Sequence, residues 1–296
     1  MSAKIQLRPD FRILYFSGTG NTHWVAEKLK LNLKDRGFRV FKAAVDELRA
    51  QGPDRLAEAL KKLAQPETTL VLAFPAYFCD LPAPVKEILD LLPPVQNCNL
   101  AVIATVYRSC GDAHRLPGRA LESKGYLPIL ETYVKMPNNL KLPRFEQFEI
   151  LNGEQLKDYH HTAALRVNEL AAELAEGWRD ENGPHLSEML SQPAYLLSEA
   201  PLKKLFAARM FADARCIKCT LCASACPVAN ISFAGGYPEF GENCCGCLRC
   251  YSFCPVAAIQ VSEATLDREK FPRYRGFDGW HPERLREVTK GDRPGV

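Results

Sequence analysis

From residue 5 to residue 178 the chain alternates short apolar runs with stretches whose apolar residues recur at helical spacing. That alternation predicts strands joined by crossover helices, and so a parallel α/β sheet. The predicted strands are Phe11–Phe16, Phe38–Phe41, Thr69–Phe74, Leu100–Val106 and Leu127–Val134. After the first of them, Val25, Leu29 and Leu33 fall on one helical face, and Gly37 supplies the stop. Helices are also predicted over Asp54–Leu63 and over Val85–Leu91, the latter ended by Pro93-Pro94. Leu156, Tyr159, Ala163, Val167, Leu170 and Leu174 mark a long closing helix. Five strands with intervening helices satisfy a doubly wound fold.

Composition adds exclusions. With 47% hydrophobic and 25% charged residues in 296, the chain can bury a sizeable core. Its longest apolar runs, such as Leu70–Ala73 and Leu100–Val106, are far too short to span a bilayer. A formal charge of +3, evenly spread and without a reader motif, gives no reason to expect nucleic acid. No secretory leader pattern opens the sequence, so the expected location is the cytoplasm.

Two patterns carry chemistry. The first is Ser17-Gly18-Thr19-Gly20-Asn21-Thr22, which stands where a strand ends and a helix begins. Glycines let backbone N–H groups approach an anion, the hydroxyls of Ser17, Thr19 and Thr22 add donors, and the helix start adds partial positive charge. A dinucleotide turn wants a third glycine where His23 stands, and the Walker lysine is missing, which leaves a mononucleotide phosphate.

The second pattern uses eight of the twelve cysteines, in two copies of CxxCxxCxxxCP: Cys216, Cys219, Cys222 and Cys226, then Cys244, Cys247, Cys250 and Cys254. This is the spacing that holds [4Fe–4S] clusters, and the fourth cysteine of each run is expected to serve the other cluster. Cys216, Cys219, Cys222 and Cys254 then form one set, and Cys244, Cys247, Cys250 and Cys226 the other. Zinc favours two separated pairs, and disulfides belong to secreted chains, so neither suits the recurring third thiol and Cys-Pro ending. Cys245 breaks the register and is expected to be a bystander. The spare thiols Cys79 and Cys110 read as small buried hydrophobes, with a redox or substrate-contacting role in their loops as the alternative; Cys98 has no such alternative, and His160-His161 read as helix residues without a metal role.

Together the SGTGNT loop and the paired cysteine runs resemble the flavodoxin–ferredoxin fusion family. The resemblance implies a flavodoxin-like five-stranded sheet of order 2-1-3-4-5 over residues 5–178, with FMN on the Ser17–Thr22 loop. It further implies a small α+β ferredoxin domain with two [4Fe–4S] clusters over 213–262. Outside the resemblance, Pro184, Pro193 and Pro201 among short apolar patches read as a packed linker over 179–212, and residues 263–296 as a tail. In flavodoxins the flavin ring lies between the loops after the third and fourth strands. Here those loops offer Pro75, Ala76, Tyr77, Phe78, Tyr107 and Gly111, with Asp112 expected to cap a helix. Phe271, Tyr274, Phe277 and Trp280 are expected to cover the cluster domain.

The implied function is electron transfer between FMN and the clusters, coupling one-electron and two-electron redox partners. Ferredoxin, hydrogenase or reductase proteins are the expected partner classes. The alternatives are a flavin-dependent reductase of a small-molecule acceptor, and a redox-sensing partner protein.

Overall fold

The computed structural model describes residues 9–177, 209–233, 235–276 and 280–282. Most of the predicted linker lies outside them, as does Phe277. Two compact units divide the chain. One comprises Met1–Ser17, Asn21–Met136 and Gly153–Leu196, the other Gly18–Gly20, Pro137–Asn152 and Leu197–Val296.

The first unit is built on five parallel strands: β1 (Asp10–Tyr15), β2 (Arg39–Ala44), β3 (Thr68–Pro75), β4 (Cys98–Val106) and β5 (Tyr126–Lys135). They lie in the order β2-β1-β3-β4-β5, the flavodoxin-type arrangement of a doubly wound sheet. All nine residues of β4 are buried, as a strand covered on both faces requires. β2 and β5 form the edges and leave Arg39, Leu127 and Lys135 exposed.

Helices cover the two faces. α1 (Asn21–Asp35) buries Trp24, Val25, Leu29 and Leu33 and packs on α6 (Gly153–Glu176), which buries Ala163, Val167, Leu170 and Leu174. α2 (Val45–Ala50) touches α3 (Pro53–Leu63) and α4 (Ala83–Leu91), and α4 also touches α5 (Leu116–Leu121).

Most predicted elements are present, and several run longer. Parallel ladder bonds continue past the apolar core of a strand, so β2 reaches Ala44 and β4 starts at Cys98. α2 was not foreseen, because six residues give too short a period to read. Asp112 does precede a short 3₁₀ turn, but its carboxylate pairs with Arg119 at 3.2 Å and caps nothing.

The second unit contains a structural repeat. The second cysteine run begins 28 residues after the first, at Cys244 against Cys216, and the backbone repeats with it. β6 (Phe211–Ala212), α7 (Leu221–Ser224) and β7 (Ile231–Ser232) match β8 (Glu239–Phe240), α8 (Arg249–Phe253) and β9 (Ile259–Gln260). Strand pairing crosses between the copies: β6 is antiparallel to β9, and β7 to β8. The bond from Asp213 N to the Ala258 carbonyl, 2.9 Å, has its twin from Gly241 N to the Asn230 carbonyl, also 2.9 Å. Tyr251 and Val261 pack with Leu142 and Leu248 in one core cluster, while Cys222 and Cys254 share another with Ile231, Ala258 and Ile259. Of the aromatic tail, Phe271, Tyr274 and Trp280 are buried; the Tyr251 hydroxyl donates to the Phe271 carbonyl, and Trp280 meets Phe253 edge-on with ring centres 5.2 Å apart.

Candidate functional site

Left-handed backbone shapes both cysteine runs. Lys218, Thr220 and Ala229 have φ of 57°, 60° and 49°, and their counterparts Gly246, Leu248 and Ala257 have 68°, 59° and 52°. Non-glycine residues adopt this region at a cost, so five of them in matched places mark a backbone turned for a purpose. The turns gather the thiols across the copies. Burial pushes the Cys222 thiol up to about 11, and the neighbouring Cys219, Cys254 and Cys216 add repulsion. Burial likewise pushes Cys244 up to about 12, with Cys247 and Cys226 adding to it. Cys226 is raised by burial and then by Cys247. The fourth cysteine of each run therefore neighbours the other run's thiols.

Backbone N–H groups point at the sulfurs in the same symmetric way. Asn230 N donates to Cys226 Sγ and Ala258 N to Cys254 Sγ, each at 3.2 Å, and Gly246 N donates to Cys244 Sγ at 3.4 Å. Cys226, Cys244, Cys247 and Cys250 line a small cavity. Cys245 lines it too, and its hydrogen bond with Cys247, followed by burial, raises its thiol well above the usual value. Buried thiols resist ionisation unless cations replace the lost water, and iron would supply that charge. Among the described residues, no three His, Cys, Asp or Glu side chains converge as ligands of a single metal ion. A four-iron cage puts one thiolate on each iron and so asks for a wider set than one ion does.

In the phosphate loop, Ser17, Thr19 and Thr22 are all buried, and Gly20 has φ +104°, open only to glycine. The Thr22 and Thr105 hydroxyls share a hydrogen bond of 2.7 Å, which anchors the start of α1 to the end of β4. Asn139 Nδ2 donates to Thr19 Oγ1 at 2.7 Å, which leaves the threonine hydrogen available to an anion. Three further residues of the second unit hold its Gly18–Gly20 segment. Arg249 Nε donates to the Gly18 carbonyl at 3.3 Å, and Gly276 and Trp280 lie so close that a Cβ on Gly20 would stand 3.4 Å and 3.0 Å from them. Sequence reading missed Asn139, Arg249, Gly276 and Thr105. None is a defining residue of a motif, Arg249 standing at a variable place of the second cysteine run, and each meets the loop from far along the chain.

The expected flavin-ring loops come together in the first unit. Ala76 N bonds the Thr105 carbonyl at 3.0 Å, and Tyr77 and Asp80 exchange two bonds of 3.0 Å around a tight turn. Its central residues, Phe78 and Cys79, have φ of 53° and 63°, a strained choice without glycine. The turn sets Cys79 against Gly111, where an added Cβ would lie 3.2 Å from Cys79 Cβ. Pro75 ends β3, and Tyr107, just after β4, carries the Arg108 guanidinium 5.4 Å from its ring centre. Tyr77, Phe78 and Tyr107 are half-buried. Cys110 is 1% exposed, with Sγ 3.2 Å from His114 Nδ1, which suits a packed thiol. Cys98 is buried in β4.

No helix among the described residues is long and apolar enough to cross a membrane. No protein-family model matches the chain, and no curated protein matches it. Among solved structures, a Streptococcus pneumoniae TIGR4 flavodoxin is 17% identical, covering 56% of this chain and 97% of its own, with a TM-score of 0.38. Oxidised flavodoxin 2 from Bacillus cereus is 16% identical, covering 56% and 98%, with a TM-score of 0.39. Rubredoxin oxygen:oxidoreductase from Desulfovibrio gigas is 15% identical, covering 56% and 38%, with a TM-score of 0.36. At these values the fold assignment rests on the strand order itself.

Proposed function

We propose that the chain is an electron-transfer flavoprotein carrying one FMN and two [4Fe–4S] clusters. FMN, when bound, exchanges electrons in pairs or singly and each cluster takes one at a time, so their union couples two-electron and one-electron partners. The observation that carries the reading is the repeated thiol frame, with its matched left-handed turns and the fourth cysteine of each run lying beside thiols of the other.

In this reading residues 5–178 form the FMN domain and 213–262 the cluster domain. Cys216, Cys219, Cys222 and Cys254 hold one cluster, and Cys244, Cys247, Cys250 and Cys226 the other. N–H donors to three of these sulfurs stabilise negative charge on the thiolates, one of the means by which a protein sets cluster potential. Ser17 to Thr22 bind the FMN phosphate with backbone N–H groups and the Thr19 hydroxyl. Pro75, Ala76, Tyr77, Phe78, Tyr107 and Gly111 flank the ring. Redox proteins such as a ferredoxin, hydrogenase or reductase are the partners.

Anaerobic purification tests the reading. The protein should carry about eight iron, about eight acid-labile sulfides and about one FMN per chain. Stoichiometric zinc in place of iron, or FAD in place of FMN, would overturn it.

A further inference from the structure

Arg249 is 2% exposed, and among the described residues it is the one buried arginine. Burying a guanidinium is expensive unless hydrogen bonds and opposite charge compensate for the lost water. Its Nε donates to the Gly18 carbonyl at 3.3 Å, and its Nη1 donates to the Ala225 carbonyl, next to Cys226, at 3.2 Å. It also lines the cavity shared by Cys226, Cys244, Cys247 and Cys250. All these residues belong to the second unit. The first copy of the repeat has Leu221 at the matching place, so the 28-residue frame does not itself require an arginine there.

Two anions are expected beside this one cation: the phosphate of FMN on the loop that contains Gly18, and the cluster on the thiolates around the cavity. We propose that Arg249 is a positioning residue for both, fixing the phosphate loop through Gly18 and stabilising the reduced form of the cluster held by Cys226, Cys244, Cys247 and Cys250. The inference rests on the electron-transfer reading above. A reduced cluster carries one more negative charge than an oxidised one, so a nearby fixed cation raises its reduction potential. The Gly18 carbonyl, tied back by the guanidinium, is turned away from the anion, leaving the loop's N–H groups to face it.

The test uses the full chain with leucine, the residue of the first copy, as the replacement. In R249L, FMN should bind about tenfold more weakly, a loss of about 1.4 kcal/mol. Riboflavin, which lacks the phosphate, should bind as it does to the parent protein. An EPR-monitored redox titration should show one cluster shifted to lower potential and the other unmoved. R249K keeps the charge but cannot reach both carbonyls as a fork, so it should retain both potentials and still bind FMN less tightly. R249K also serves if R249L loses iron. Unchanged FMN affinity and potentials in R249L would overturn the proposal, as would an equal loss of riboflavin and FMN. A parent protein lacking FMN or iron would instead refute the electron-transfer reading.

Discussion

Gly20→Ala places a methyl group where the phosphate loop has least room for one. Gly20 has φ +104°, well beyond the left-handed well near +60° that other residues can enter. Forcing an alanine there costs about 1–3 kcal/mol. The new Cβ would also stand 3.0 Å and 3.2 Å from Trp280 Cε3 and Cδ2, and that indole is backed by the Phe253 ring 5.2 Å away. The ring cannot retreat freely, so about 1 kcal/mol of overpacking adds to the strain. The total of about 2–4 kcal/mol corresponds to roughly 30-fold to 800-fold weaker FMN binding if the loop must keep its present shape to hold phosphate. Titrating FMN-free protein with FMN, read by quenching of flavin fluorescence, measures the effect, and iron content should stay at the parent level. A dissociation constant within threefold of the parent's would refute both the strain argument and the placement of the phosphate. Trp280→Ala in the same chain should recover only the overpacking share, because the φ strain remains.

Two further outcomes are expected. Cys226→Ser should perturb the EPR signal of the cluster whose other ligands begin at Cys244 and spare the one beginning at Cys216; the reverse would remove the crossed assignment. Glu47 is pushed up to about 7 by burial first, then by Asp46, against the Ala44 backbone bond that favours its charge. The folded chain thus keeps a proton that the unfolded chain loses near pH 4.5, and stability falls as pH rises from about 4.5 to about 7. Glu47→Gln should flatten that fall and raise the melting temperature at pH 8 but not at pH 4; parallel melting curves across the range would exclude Glu47 as the source.

Local signals account for what the sequence made legible. The apolar cores of β3 and β4 are continuous runs, and the loop at Ser17 and the paired cysteine runs are fixed spacings of special residues. Residues that act only through a distant partner left no such trace. Arg249 reads as an ordinary helical arginine until Gly18, 231 positions away, is found against it. Asn139 sits in an irregular stretch and becomes meaningful only through its bond to Thr19, 120 positions away. Asp112 shows the opposite failure: its place before a turn suggested a cap, yet its backbone, at φ −91° and ψ 6°, lacks the extended geometry of a cap, and its carboxylate pairs with Arg119 instead.

The crossed pairing of β6 with β9 and β7 with β8 has a consequence for synthesis and ancestry. On the ribosome, Phe211 emerges long before Gln260, its partner in the ladder, so this pairing cannot close until both copies have been made. A single copy, cut free, would have no mate for its opening strand. Two free copies would have mates in each other and could assemble about a two-fold axis with the same pairings. Joining two such copies end to end would give the pairings seen here while leaving each half free to differ, as Leu221 and Arg249 do.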